Sequence, residues 1–178
     1  QCPDEYKPEL TAIITEYWDV FCERVISKNI HGFSCKVDTG TSKPICCKHP
    51  RYGPHEASVI EKLVAHLQIN GLVEDDDGPW GSLIVLAAKP GQDTTPWHEY
   101  IWRLCVSYRR VNQIVRPFKF PILRCDDADL EIPPYAKYFI SFDLDCGYWQ
   151  VALEPASRAK TAFFTPRGKK RWTVMPMG

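Results

Sequence analysis

The apolar positions along the chain follow two periods. From residue 8 to residue 26, PELTAIITEYWDVFCERVI carries Ile13, Ile14, Trp18, Phe21 and Val25 at near-helical spacing, which predicts a first helix. A Gly- and Cys-bearing stretch to about residue 53 breaks the pattern. Pro54 opens a second predicted helix, Val59, Ile60, Leu63, Val64 and Leu67 form its apolar stripe, and Gly71 stops it. Beyond it the runs shorten. GSLIVLAA (81–88) and IWRLCVSY (101–108) are β-rich, and the polar KPGQDTTPWHEY between them predicts a hairpin with a long loop. Pro121 opens a short helix through Leu130, closed by Pro133 and Pro134. Strands are predicted at YFISFDL (138–144), YWQVALE (148–154) and TAFFT (161–165), and PRGKK turns into RWTVMP. Helices interleaved with hairpins, without a regular βαβ repeat, predict an α+β fold.

With 178 residues the chain fits one domain, or one domain plus a tail. Its apolar and charged fractions, 44% and 25%, are those of a globular protein. No apolar run approaches the ~20 residues of a membrane span, so no membrane partner is expected. The chain opens on Gln1 and stops at TVMPMG after an apolar stretch, and a longer parent polypeptide is expected. Cations and acids balance at 22 each, but they are not mixed evenly. Residues 103–124 hold six cations (Arg103, Arg109, Arg110, Arg116, Lys119, Arg124) and no acid. Residues 158–171 hold six more and again no acid, while acids gather at 74–77 and 126–131. These tracts read either as a surface for phosphates or as solvated faces balanced by neighbouring acids.

Two other patterns suggest chemistry. His31, Cys35, Cys46, Cys47 and His49 lie close in sequence but match no familiar zinc spacing, so reduced cysteines are the expected state. Asp38-Thr39-Gly40 is the triplet of an aspartic protease, yet that chemistry needs a second carboxylate sharing a proton. No second protease-like feature follows, and the triplet also suits a turn. Asp143, at the end of an apolar run and followed by Asp145, Gly147 and Tyr148, is more informative. Alternation puts the two carboxylates on one side if the strand continues, a hard oxygen site for divalent cations; the alternative is an exposed acidic strand end.

That stretch has company. GPWGSLIVLAAK, WRLCVSYRRVN, FPILRCDDADL, AKYFISFDLDCGYWQVAL and RAKTAFFTPRGKKRWTVMPMG resemble, in order and spacing, the reverse transcriptases of gypsy-type LTR retrotransposons. DTGTSKPI resembles the same family's entry into its fingers subdomain, so the likeness covers residues 36 to 178. It implies the fingers and first part of the palm of a right-hand polymerase, with residues 1–35 as an N-terminal helical extension or linker.

The resemblance also implies a chemistry: RNA-directed DNA synthesis, in which two divalent metals (Mg2+, with Mn2+ as substitute) assist transfer of a nucleotide from a dNTP to a primer. Asp143 would be the catalytic carboxylate and ligand to both metals, with the Leu144 carbonyl on the nucleotide-side ion. The amides of Cys146 and Gly147 would face the triphosphate. Tyr148 would close the sugar pocket against a 2′-hydroxyl, its alternative role being core packing. Lys89 and Arg103 would clamp the triphosphate, Arg103 through its planar, permanently charged fork. Arg109 would stand on the template side or serve as a structural ion-pair partner, and Lys160, Thr161 and Phe163 read as scaffold. The partners implied are an RNA or DNA template-primer, a dNTP and the rest of a Pol polyprotein (remaining palm, thumb, RNase H). The implied location is the cytoplasm, in a virus-like particle, or the nucleus.

Some positions depart from the family pattern. Ser107 replaces a usual acid, Leu83 a frequent proline, and Pro133-Pro134 a Gly-rich turn. The motif with two further aspartates would lie past Gly178. A truncated or domesticated fragment, binding nucleic acid or protein without catalysis, is therefore the competing reading.

Overall fold

A computed structural model describes residues 3–20, 29–89, 101–121, 124, 127 and 130–178. The long helix at its centre, α2 (Pro54–Ile69), begins and ends where the residues demand. Pro54 takes the first helical position, and the Glu56 carboxylate accepts the Gly53 N–H at 3.3 Å, satisfying one of the free amides of the first turn. At the other end Gly71 takes φ +70°, which lets the Leu72 N–H reach the Leu67 carbonyl (3.0 Å) and the Gly71 N–H reach Gln68 (3.0 Å). Val59, Ile60, Val64 and Leu67 are buried along one stripe, as their spacing predicts. Each such burial stabilises by ~1.5–3 kcal/mol.

The stripe packs on short strands. β2 (Val73–Asp75) and β6 (Phe163–Thr165) flank β7 (Gly168–Trp172) in an antiparallel sheet. β3 (Leu83–Ala88) and β4 (Trp102–Ser107) form the expected antiparallel hairpin, joined to β6 through a bridge between Ser82 and Phe163. β1 (Ser34–Cys35) pairs in parallel with β5 (Ala152–Leu153). Phe163, Ile60, Leu72, Leu153 and Val174 are fully buried where these pieces meet. The result is α+β, as the pattern predicts.

Several expected elements differ. α1 (Lys7–Glu16) gives way to a 3-10 turn at Trp18–Val20, and residues 21–26 of the first predicted helix lie outside the described residues. None of α1 is buried, so little tertiary packing supports it. Residues 138–144 form no strand: Tyr138, Phe139, Ile140 and Phe142 are exposed, without a ladder partner among the described residues. Of 148–154 only Ala152–Leu153 is strand, preceded by a 3-10 turn at Gly147–Gln150. The loop 90–100 and most of the helix predicted at 121–130 lie outside the described residues.

Tyr108 ties the hairpin to the rest. It follows β4, is buried, and donates its hydroxyl to the Thr161 carbonyl at 2.8 Å. Thr161 in turn accepts the Trp172 N–H on its hydroxyl (3.1 Å) and donates to the Arg158 carbonyl (2.7 Å). Burial pushes the Tyr108 phenol well above its ordinary range, so it stays a neutral donor. Tyr108→Phe leaves the Thr161 carbonyl without that bond and is expected to cost about 1–3 kcal/mol. A fall in the urea midpoint with unchanged slope would register it; an unchanged midpoint would show the bond contributes nothing.

Candidate functional site

The hairpin register arranges the first group. Ile84 opposes Val106 and both are buried, so that row faces the core. The alternate row carries Val85 opposite Cys105 and Ala87 opposite Arg103. The Lys89 N–H reaches the Ile101 carbonyl at 2.8 Å, which continues the pairing one step. Lys89 and Arg103 therefore share the outward face as diagonal neighbours. Arg103 is exposed, and neither cation has an ion pair among the described residues. Past Tyr108, the single turn α3 (Arg109–Asn112) holds Arg109 exposed, also without an ion pair there, while Arg110 points a guanidinium nitrogen at the Cys47 sulfur (3.7 Å).

The second group surrounds Asp143. Asp143 and Leu144 are exposed and lead into a turn at Asp145–Cys146 rather than along a strand, so alternation does not govern the two carboxylates. Cys146 takes the left-handed conformation at φ +51°, unusual for a residue with a Cβ. The turn is held by the Gly147 N–H on the Leu144 carbonyl (3.2 Å), the Trp149 N–H on Cys146 (2.8 Å) and the Gln150 side-chain amide on the Asp145 carbonyl (2.8 Å). An added Cβ at Gly147 would come within 3.3 Å of the Leu144 Cβ, tighter than ordinary contact. The Gly147 amide, expected to face a triphosphate, here closes the turn instead, and the Leu144 carbonyl has one lone pair engaged. Burial, then the Asp145 carboxylate accepting its S–H, pushes the Cys146 thiol up, which keeps it protonated. Tyr148 is 54% exposed.

Among the described residues no hydrogen bond, ion pair or ring contact joins Lys89 or Arg103 to the Asp143 turn, and no three His, Cys, Asp or Glu side chains gather as a metal-binding group. The donors at Asp143 and Leu144 are hard oxygens, and the Asp143 carboxylate is unpaired there. That chemistry fits Mg2+ or Mn2+ and would supply part of a coordination shell.

The structure redraws the two basic tracts. Every cation of 158–171 is engaged: Arg158 and Arg171 with Glu74 (3.6 and 2.8 Å), Lys169 with Asp76 (3.1 Å), Lys170 with Asp75 (2.6 Å), Arg167 with Glu61 (2.9 Å), and Lys160 with the Val37 carbonyl. The antiparallel β2–β7 register sets Glu74 opposite Arg171 and Asp75 opposite Lys170, so three acids of the run at 74–77 meet four cations of this tract. That pairing favours the reading of a face balanced by neighbouring acids. Asp38 is a turn residue, as expected: its carboxylate accepts the Gly40 N–H (2.8 Å), and that bond, then Arg116, Lys36 and Lys160, hold its carboxyl below the usual range. The Arg116 N–H binds the Asp38 carbonyl at 2.7 Å.

Sequence reading passed over two features. One is Ser157, which accepts the Val37 N–H (2.9 Å) and anchors the segment before Asp38. The other is the exposed ring pair Phe118 and Phe120, signalled only by their i, i+2 spacing between two prolines.

Comparison with known proteins adds the family. Residues 89–178 match the family model for reverse transcriptase (RNA-dependent DNA polymerase). Over 99% of its length the chain is 30% identical to the retrovirus-related Pol polyprotein of transposon 412 of Drosophila melanogaster, of which it spans 14%. Crystals of the prototype foamy virus protease–reverse transcriptase give a TM-score of 0.75 at 22% identity, covering 99% of this chain and 23% of that one. The foamy viral enzyme in complex with an RNA/DNA hybrid gives 0.68 at 18%, covering all of this chain and 23% of that one. The fold is thus that of the fingers and first part of a polymerase palm, and the chain belongs to the reverse transcriptase (RNA-dependent DNA polymerase) family.

Proposed function

We propose that this chain is the fingers and first palm segment of an RNA-directed DNA polymerase that extends a primer on an RNA or DNA template. The observation that carries the reading is that the family match, 89–178, spans every candidate residue from Lys89 to Tyr148. Residues 36–178 form the polymerase portion and 1–35 its N-terminal extension. The parent protein works with the rest of a Pol polyprotein, in a virus-like particle in the cytoplasm or in the nucleus.

Lys89 and Arg103, side by side on the outward face of the hairpin, bind the triphosphate; a guanidinium suits phosphate because its fork donates two parallel hydrogen bonds. Asp143 and the Leu144 carbonyl hold divalent cations, whose chemistry is to stabilise charge on the attacking and leaving oxygens. Tyr148, beyond the turn, presents a ring where the sugar lies and excludes a 2′-oxygen by bulk. Arg109, exposed and without an ion pair among the described residues, meets a template phosphate. The Cys146 and Gly147 amides turn toward the triphosphate once nucleotide binds, the Gly147 N–H leaving Leu144.

Arg103→Ala in the whole protein is expected to raise the KM for dNTP roughly ten- to a hundredfold, with Arg103→Lys recovering part of the loss because it restores charge but not the fork. Steady-state primer extension reads this. An unchanged KM in Arg103→Ala removes the arginine from the nucleotide site.

A further inference from the structure

We propose that Phe118 and Phe120 form a stacking surface for the bases of single-stranded nucleic acid, with Lys119, between them in the chain, for its phosphates. The inference deepens the polymerase reading by naming where an unpaired strand rests. It begins in the run Arg116-Pro117-Phe118-Lys119-Phe120-Pro121. Two prolines keep the residues before them, Arg116 and Phe120, out of helical conformation. In extended chain side chains alternate, so the two rings fall on one side and Lys119 on the other. The structure brings the two rings together: they are near parallel, at 15°, with centroids 6.4 Å apart. They are 88% and 69% exposed. The start of the run is fixed to the body, because the Arg116 N–H holds the Asp38 carbonyl and its guanidinium lies over Gly40.

Charge selects the occupant. The rings stand within residues 103–124, which contain six cations and no acid. Lys119 is exposed and has no ion pair among the described residues. In the other basic tract five of the six cations form ion pairs with Glu61, Glu74, Asp75 or Asp76, which Lys119 does not. Flat exposed rings with an exposed lysine between them in the chain match a polymer of phosphates and flat bases, and they do so without sequence preference. A duplex hides its base faces and offers the rings nothing to stack on.

The test is fluorescence anisotropy of the 178-residue chain with a labelled oligo-dT 20-mer and, separately, a duplex of the same length. The double substitution Phe118→Ala with Phe120→Ala is expected to weaken oligo-dT binding roughly ten- to a hundredfold. Its salt slope stays unchanged, since no cation is lost, and duplex binding moves less than about threefold. Phe118→Trp with Phe120→Trp should bind at least as tightly as the native pair, which guards against a fold defect in the alanine variant. Lys119→Ala should lower the slope of log affinity against log salt by roughly 0.7. Native-like binding by the alanine pair, equal losses for single strand and duplex, or no binding of oligo-dT by the native chain would each overturn the proposal. So would an alanine pair that changes only self-association, which would assign the rings to a protein interface. Asp143→Asn leaves this binding intact, so failure of the stacking site and failure of the catalytic reading are separately visible.

Discussion

Asp143→Asn is expected to lower nucleotide addition by the whole protein about a thousandfold while leaving the chain folded. The asparagine keeps the volume and one oxygen but removes the charge that a divalent cation needs. The several kcal/mol of charge stabilisation supplied through such an ion corresponds to about that factor in rate. Folding is spared because Asp143 is exposed and carries no ion pair or hydrogen bond among the described residues. Primer extension under single-turnover conditions, with Mg2+ and then Mn2+ varied, measures the loss. Activity within tenfold of the native protein would rule out Asp143 as the metal-holding carboxylate.

Replacing Tyr148 is expected to change what is incorporated rather than how fast. Tyr148→Val removes the ring beyond the Asp145–Cys146 turn and opens the space in which a 2′-hydroxyl would sit. Discrimination by an apolar wall is steric and modest per group, so the preference for dNTP over the matching rNTP should fall roughly ten- to two-hundredfold. Incorporation of dNTP itself should fall much less. The ratio of kcat/KM for the two nucleotides is the readout. An unaltered ratio in a folded Tyr148→Val protein would return Tyr148 to a packing role.

Local signals in the sequence proved legible where neighbours in sequence decide the structure. The stripe from Val59 to Leu67, the proline at its start and Gly71 at its end specified α2 without help from distant residues. The hairpin from Leu83 to Ser107 followed from two β-rich runs, and its register put Lys89 and Arg103 on one face. Long-range pairing was not legible. Nothing in the linear charge pattern tells that Glu74, Asp75 and Asp76 lie against Lys169, Lys170 and Arg171 across β2 and β7. Such pairing gives five of the six cations of that basic tract an acid partner in the fold. Residues 138–144 illustrate the converse limit. Their side chains favour a strand, but a strand also needs a partner for its backbone, and none pairs with them among the described residues. Asp143 was singled out by its motif alone, whereas the Asp145–Cys146 turn, which redirects the chain after it, depends on a left-handed Cys146 that no propensity favours.

RNA-templated DNA synthesis by the whole protein tests the central claim most directly. A labelled DNA primer annealed to an RNA template is mixed with that protein, the four dNTPs and Mg2+. The polymerase assignment predicts extension to the template end, dependent on divalent cation and on complementary dNTPs. Folded protein that binds the template-primer but adds no nucleotide with either Mg2+ or Mn2+ would contradict it.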